Sequence, residues 1–191
     1  MKCRNCRNKL DSKILNLGSQ PISSVFYKKK TTNLKKYSLN LFQCKKCELI
    51  QFKKLAPLDD MYGTTYGYRT SLSNLMINHI KAKYKKIINK KIIKKNDIII
   101  DIGSNDATFL NFFAKEKISN LSFFGIDPSA DKFKKYYNKK INLITDFFNQ
   151  NTANKLIKKF NVKNRVKLIT SFAMFYDIED PNSFCKSINT L

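Results

Sequence analysis

No stretch of the 191-residue chain approaches the roughly 18–20 consecutive apolar residues that a membrane span needs, which leaves no candidate transmembrane helix and no expected membrane partner. The amino terminus, MKCRNCRNKL, lacks the apolar core of a secretory signal, so a cytoplasmic location is expected. Acidic residues are few, 14 against 37 basic ones, and the resulting net charge of +23 invites a polyanion. Arginine is scarcer still. Only Arg4, Arg7, Arg69 and Arg165 carry the planar fork that base edges and bidentate phosphates favour; every other basic residue is lysine. Lysine, asparagine and isoleucine are enriched together, as an AT-rich coding sequence would make them, so solvated lysine faces are expected rather than a nucleic-acid partner. Glycine numbers five, and in DIIIDIGSNDATFL, residues 97–110, only Gly103 stands where a GxGxxG pyrophosphate cradle would need three. Internal repeats and low-complexity linkers are missing as well. The length suits one full domain and a small one, not two full domains.

Four of the five cysteines form two close pairs, Cys3-x-x-Cys6 and Cys44-x-x-Cys47, separated by 37 residues. In a reducing compartment such pairs favour a metal over disulfides. A two-residue spacer lets both thiolates of a knuckle reach one ion, and two knuckles complete a closed tetrahedral zinc site with no open position for a catalytic water. The site is therefore read as structural. A redox dithiol is the alternative, but CRNC lacks the preceding strand and following helix of that motif; an iron site shares the geometry.

Three segments follow from patterning. Residues 1–56 have strand-like alternation in YSLNLFQC and ELIQF and form the metal-stapled β module. Residues 57–95 hold a tyrosine-rich loop, MYGTTYGYRTS, and an amphipathic helix whose apolar stripe runs through Leu72, Leu75, Met76, Ile80, Tyr84, Ile87 and Ile88. From residue 96, strands DIIIDI, SFFGID, INLITD and KLITSFAM alternate with helical patterns ATFLNFFAKEK, SADKFKKYYNK, TANKLIKKF and PNSFCKSINTL. This alternation implies a parallel, doubly wound α/β sheet with right-handed crossovers. The chain stops at Leu191 inside the last helical pattern, so the sheet is expected to be incomplete. Cys185 falls on the apolar side of that last helix and is expected in the core.

A loop without phosphate-cradle glycines suits a cofactor without a pyrophosphate. S-adenosylmethionine needs a tight turn after the first strand and an acid after the second for its ribose hydroxyls. Gly103, Ser104 and Asn105 supply the turn, and Asp101 precedes it as an acceptor for loop amides. Asp127, 26 residues after Asp101, ends the second strand. Its oxygens can accept both ribose hydroxyls, or equally open the helix before Pro128 and Ser129. Asp146 and Phe147 end the third strand, where they suit the adenine amine and ring or simply loop and core; Ser171 and Phe172 end the fourth. All lie at carboxyl ends of parallel strands, where such sheets bind ligands.

The order of two CxxC knuckles flanking LNLGSQPIS, then MYGTTYGYRTSLSNLMINHI, IIDIGSNDATFL, GIDPS and SFAMFYDIEDPNSF resembles zinc-containing S-adenosylmethionine-dependent sugar C-methyltransferases along the whole chain. The resemblance implies a zinc module, a Rossmann-like class I methyltransferase domain and a further α/β domain, with methylation of carbon beside the ketone of a nucleotide-linked deoxysugar. It also implies that the tyrosine loop and the start of the helix behind it face that sugar nucleotide. Ala107 stands where the family's DIGSNDG ends in glycine, and alanine is expected to enter the helix without strain. Family members are about twice as long. Their glutamate-histidine motif follows a fifth strand that this sequence does not contain, so this chain is expected to be the amino-terminal half of an enzyme, with another polypeptide as a possible source of the rest. Where some members carry a histidine, this sequence has Asp177.

The implied reaction needs a base beside the substrate carbon and a donor for the developing oxyanion. Tyr66, Tyr68 and His79 are the candidates, with Arg69 suited to phosphate; a surface or packing role for His79 is the rival. Two other readings stand beside this one. A zinc-ribbon nucleic-acid-binding protein would cluster its lysines on one face, and an inactive truncated gene product would keep only the folded zinc module.

Overall fold

The computed structural model describes residues 1–191 except Ser24, Lys28 and Thr64. The chain forms two compact units, Met1–Tyr68 with Asp177–Asn182, and Arg69–Tyr176 with Ser183–Leu191. The first unit is built on an antiparallel sheet of β1 (Ser12–Pro21), β2 (Lys36–Gln43) and β3 (Ile50–Phe52), in that order. Its core is small. Leu10 and Phe42 are the buried apolar side chains that join Cys3 and Cys44, with Cys6 and Cys47 packed beside them. Strand β1 is exposed along nearly its whole length, and a bulge between Asn16 and Ser19 places Gly18 at φ +75°, which a side chain would strain. A short helix, α1 (Leu58–Tyr62), starts directly after Pro57.

The second unit is α/β. Helix α2 (Asn74–Asn89) starts at Ser73, whose hydroxyl accepts the Met76 amide. Met76, Ile80, Tyr84, Ile87 and Ile88 pack on the core, but Leu72 and Leu75 are 70% and 82% exposed. The apolar stripe is thus shorter than the sequence pattern. Leu72 belongs to a 3-10 turn (Thr70–Leu72), and Leu75 points about a quarter-turn away from the Met76–Ile80–Tyr84 line.

Strands β4 (Ile98–Ile102), β5 (Ser122–Ile126), β6 (Ile141–Ile144) and β7 (Val166–Ser171) form a parallel sheet in the order β6-β5-β4-β7. The isoleucine-rich β4 is central and wholly buried, as an apolar strand in a two-sided parallel sheet should be, with Asp101 its one polar side chain. Helices α3 (Thr108–Phe113), α4 (Gln150–Phe160) and α5 (Pro181–Asn189) complete the alternation, α4 being capped by the Asn149 side chain and closed by Asn161 at φ 49°. One expected helix differs. SADKFKKYYNK forms a 3-10 stretch (Ala130–Tyr136) in which Ala130 and Phe133 are buried three residues apart, the repeat of a three-residue turn. The architecture is a small antiparallel module at the cysteine cluster and a Rossmann-like parallel sheet. Among the described residues no helix is long and apolar enough to cross a membrane.

Candidate metal centre and ligand loop

Each knuckle is a tight turn that closes on its first cysteine. The Arg7 amide donates to the Cys3 carbonyl at 3.0 Å and the Glu48 amide to that of Cys44 at 2.8 Å, with Arg7 and Glu48 both at φ near +60°. The four sulfurs lie within 4.8 Å of one another, with Cys3 and Cys47 Sγ 3.7 Å apart and Cys6 and Cys44 Sγ 3.5 Å apart. A tetrahedron with 2.3 Å metal–sulfur bonds has edges of about 3.8 Å, so the donor set fits one zinc. A shell supports it: buried Gln51 donates through Nε2 to Cys3 Sγ at 3.2 Å and accepts the Arg4 amide at 3.1 Å. Burial would raise the Cys3 thiol, but the Cys6 amide and Gln51 outweigh it and bring it down to about 6. The Cys6 thiol is pushed up to about 11, because the lowering by the Asn8 amide is outweighed by burial and the neighbouring cysteines. Four thiolates this close need a cation to be charged together.

The ligand loop answers where the glycines went. Gly103, Asn105 and Ala107 all take left-handed backbone, at φ 75°, 49° and 59°. Asparagine tolerates that region; alanine does not at no cost, so the expectation that Ala107 enters the helix unstrained is corrected. Burial at 0% exposure and its amide bond to the Ser104 carbonyl hold it there. The turn is held from both sides. Gly103 donates to the Ile126 carbonyl at 2.8 Å, and the Asn105 amide to Asp127 Oδ2 at 2.9 Å. Asp127 Oδ1 accepts the Ser129 amide and hydroxyl at 2.7 and 2.6 Å, the helix-opening geometry. Ser104 donates to the Tyr137 hydroxyl, which donates to the Asn105 carbonyl, each at 2.8 Å. Asp101 accepts from Thr170 Oγ1 at 2.7 Å, and the Asn105 amide goes to Asp127 instead. Burial pushes the Asp101 carboxyl up to about 7, against the Thr170 bond and with help from Asp127.

Sequence patterning missed Asp106, which is 1% exposed and anchors both flanks of the loop. Its Oδ1 accepts the Thr108 amide at 3.1 Å and hydroxyl at 2.5 Å, and its Oδ2 accepts the Ser71 amide at 2.8 Å. Asn105 Oδ1 accepts the Thr70 amide at 2.9 Å. Arg69 stacks on the Tyr136 ring at 4.2 Å, with a nitrogen 4.0 Å from Asp106, so it is engaged by the protein itself. An acid directly before a helix was the signal for Asp106.

At the other strand ends, the Ser171 hydroxyl is buried without a hydrogen-bond partner among the described residues, in register with Ile102 just before the loop. Asp146 accepts the Phe147 amide at 2.8 Å and lies 3.6 Å from Lys155 Nζ. Phe172 packs edge-on against Phe109. Tyr66 and Tyr68 belong to the first unit, their ring centroids 6.4 Å apart, and Tyr66 bridges to Val25. His79 is exposed on α2 in the second unit. Cys185 is exposed, which corrects its expected place in the core: Phe184 and Ser187 take the buried face of α5 instead.

Residues 3–62 match a protein-family model, Methyltransf_13, described as "Putative zinc binding domain". No curated protein matches the chain. The matched segment contains all four cysteines of the cluster. Residues 3–62 are thus similar to that "Putative zinc binding domain", and their four cysteines are positioned to hold a metal.

Proposed function

We propose that the protein is an S-adenosylmethionine-dependent C-methyltransferase acting on a nucleotide-linked keto-deoxysugar. The observation that carries this reading is the ligand end of the parallel sheet: a left-handed turn at Gly103, Asn105 and Ala107, Asp127 ending β5, and an unpartnered buried hydroxyl at Ser171 ending β7. These donors and acceptors suit a nucleoside-bearing cofactor that lacks phosphates, and the family of the zinc domain points to the same chemistry. When bound, adenosylmethionine supplies an electrophilic methyl group.

The residues of the chain have separable tasks. Gly103, Ser104 and Asn105 shape the turn, and Asp127 orders it while leaving lone pairs for ribose hydroxyls. Asp146 and Phe147 would flank the adenine, while Asp101 is buried. Tyr66, Tyr68 and His79 are the candidates to bind the sugar or to take the proton from the carbon beside its ketone; bound adenosylmethionine would then lose its methyl group from sulfur to that carbon, the sulfur keeping the electron pair of the broken bond. A polypeptide supplying a further strand would fit the edge of β7, which pairs only with β4 among the described residues. Lysines are exposed on β1, β2, α2 and α4 alike, at Lys13, Lys36, Lys83 and Lys158, and this spread supports solvated faces over one nucleic-acid groove.

Incubating the chain with labelled adenosylmethionine and a panel of nucleotide-linked 4-keto sugars tests the reading. Transfer of label to the carbon beside the ketone is expected, and it should require both adenosylmethionine and the ketone. Transfer at an ordinary rate would show that Tyr66, Tyr68 or His79 suffices. Label passing to protein or RNA, or equally to sugars without a ketone, would overturn the substrate class.

A further inference from the structure

Two of the four arginines in this lysine-rich chain, Arg4 and Arg7, sit inside or beside the first cysteine knuckle, and both reach one acidic segment. That segment is DIEDPN, residues 177–182, which clusters with the first unit although its flanks belong to the second. Arg4 donates through one guanidinium nitrogen to the Phe52 carbonyl at 3.0 Å and through the other to the Ile178 carbonyl at 3.4 Å. Arg7 pairs with Asp180 at 2.6 Å. Asn182 donates to the Asn5 carbonyl at 2.6 Å and to that of Arg4 at 3.4 Å, and the Tyr62 hydroxyl donates to Asp177. Asp177 and Glu179 also line a cavity of about 430 Å³ together with Lys2, Arg4, Arg7, Lys53 and Lys54.

We propose that residues 177–182 are a metal-dependent strap, docked on the first knuckle and released when that knuckle loses its ion. Four of the docking groups, Arg4, Arg7 and the carbonyls of Arg4 and Asn5, lie on the Cys3–Arg7 turn, whose shape depends on Cys3 and Cys6 sharing one metal. The Arg7–Asp180 pair is half exposed on both sides and contributes little by itself. The half-buried fork of Arg4, which bridges two carbonyls, matters more, and a lysine could not span both. The strap begins six residues after Ser171, the unpartnered hydroxyl at the ligand end of β7, and its last two residues open α5. Metal occupancy in the zinc module thus bears on residues 177–182 themselves. Arg4, Arg7 and Asn182 are positioning residues in this device.

Hydrogen exchange followed by mass spectrometry on the full chain tests it without any ligand. Removing zinc with a chelator should speed exchange in residues 177–182 together with both knuckles, while β4 stays protected. In zinc-loaded protein, Arg4→Lys should keep the metal yet speed exchange in the strap about tenfold, as loss of a charged hydrogen bond predicts. A second variant, Arg7→Ala with Asn182→Ala, leaves the Arg4 bridge and should give a smaller rise, one that narrows as added salt screens the Arg7–Asp180 pair of the parent. If chelation opens the knuckles while 177–182 stays protected, or if both zinc-loaded variants exchange like the parent, the strap is not metal-dependent. Because exchange is read without cofactor or sugar, such a failure would leave the proposed function standing.

Discussion

About one zinc per chain is expected from elemental analysis, and Cys44→Ser is expected to lose both the metal and the fold of the first unit. The apolar core of that unit explains the size of the effect. Leu10 and Phe42 are the buried apolar residues beside the cysteines, and fully burying such side chains contributes about 1.5–3 kcal/mol each. A structural zinc contributes about 10–16 kcal/mol in small peptides near neutral pH, so the ion outweighs the core several-fold. Strand β1 adds no buried face. Because thiols must lose their protons to ligate, metal loading should weaken as pH falls, and the released metal should be matched by lost antiparallel-sheet signal. Metal-free protein with an unchanged first unit would contradict this assignment.

Asp101→Asn is expected to stabilise the protein above pH 7. Burial raises the Asp101 carboxyl from the ordinary carboxylate range to about 7, so the folded state holds a proton there that the unfolded chain releases near pH 4. Between those values the folded state binds more protons, and stability therefore falls as pH rises from about 4 to about 7, then levels off. The full displacement corresponds to roughly 4 kcal/mol as an upper bound, and relief of about 1–3 kcal/mol is expected from a neutral amide that keeps an oxygen for Thr170. Urea unfolding of parent and variant at pH 5 and pH 8 isolates this group from the others that titrate. The variant's advantage should appear at pH 8 and shrink at pH 5; an equal difference at both pH values would show that Asp101 is not a buried, raised carboxyl.

Much of the architecture was legible because it rests on periodicity and spacing. Ile98–Ile102 reads as a buried parallel strand from its four isoleucines, interrupted only by Asp101, and two x-x-spaced cysteine pairs bring four sulfurs together wherever the intervening strands go. What was hidden depends on partners distant in sequence. Nothing local to Ala107 shows a left-handed backbone, which the amide bond to Ser104 and complete burial impose. Asp106 looks like a surface acid until Ser71 is placed against it. Cys185 lies within an apolar pattern, yet the rotation of α5 gives the buried face to Phe184 and Ser187. The Ala130–Tyr136 segment is equally compatible with either helix type by composition, and its three-residue burial repeat becomes visible only once the sheet is in place.

Calorimetric titration of the zinc-loaded chain with S-adenosylmethionine, its demethylated product and NAD tests the ligand end of the sheet most directly. Adenosylmethionine and its product should bind more tightly than NAD, since the loop at Gly103 lacks a pyrophosphate cradle. Asp127→Ala should weaken them by about 1.5–3 kcal/mol, the range for hydrogen bonds to a charged group. Tighter binding of NAD, or adenosylmethionine binding indifferent to Asp127→Ala in a variant that keeps the parent's fold, would contradict the account.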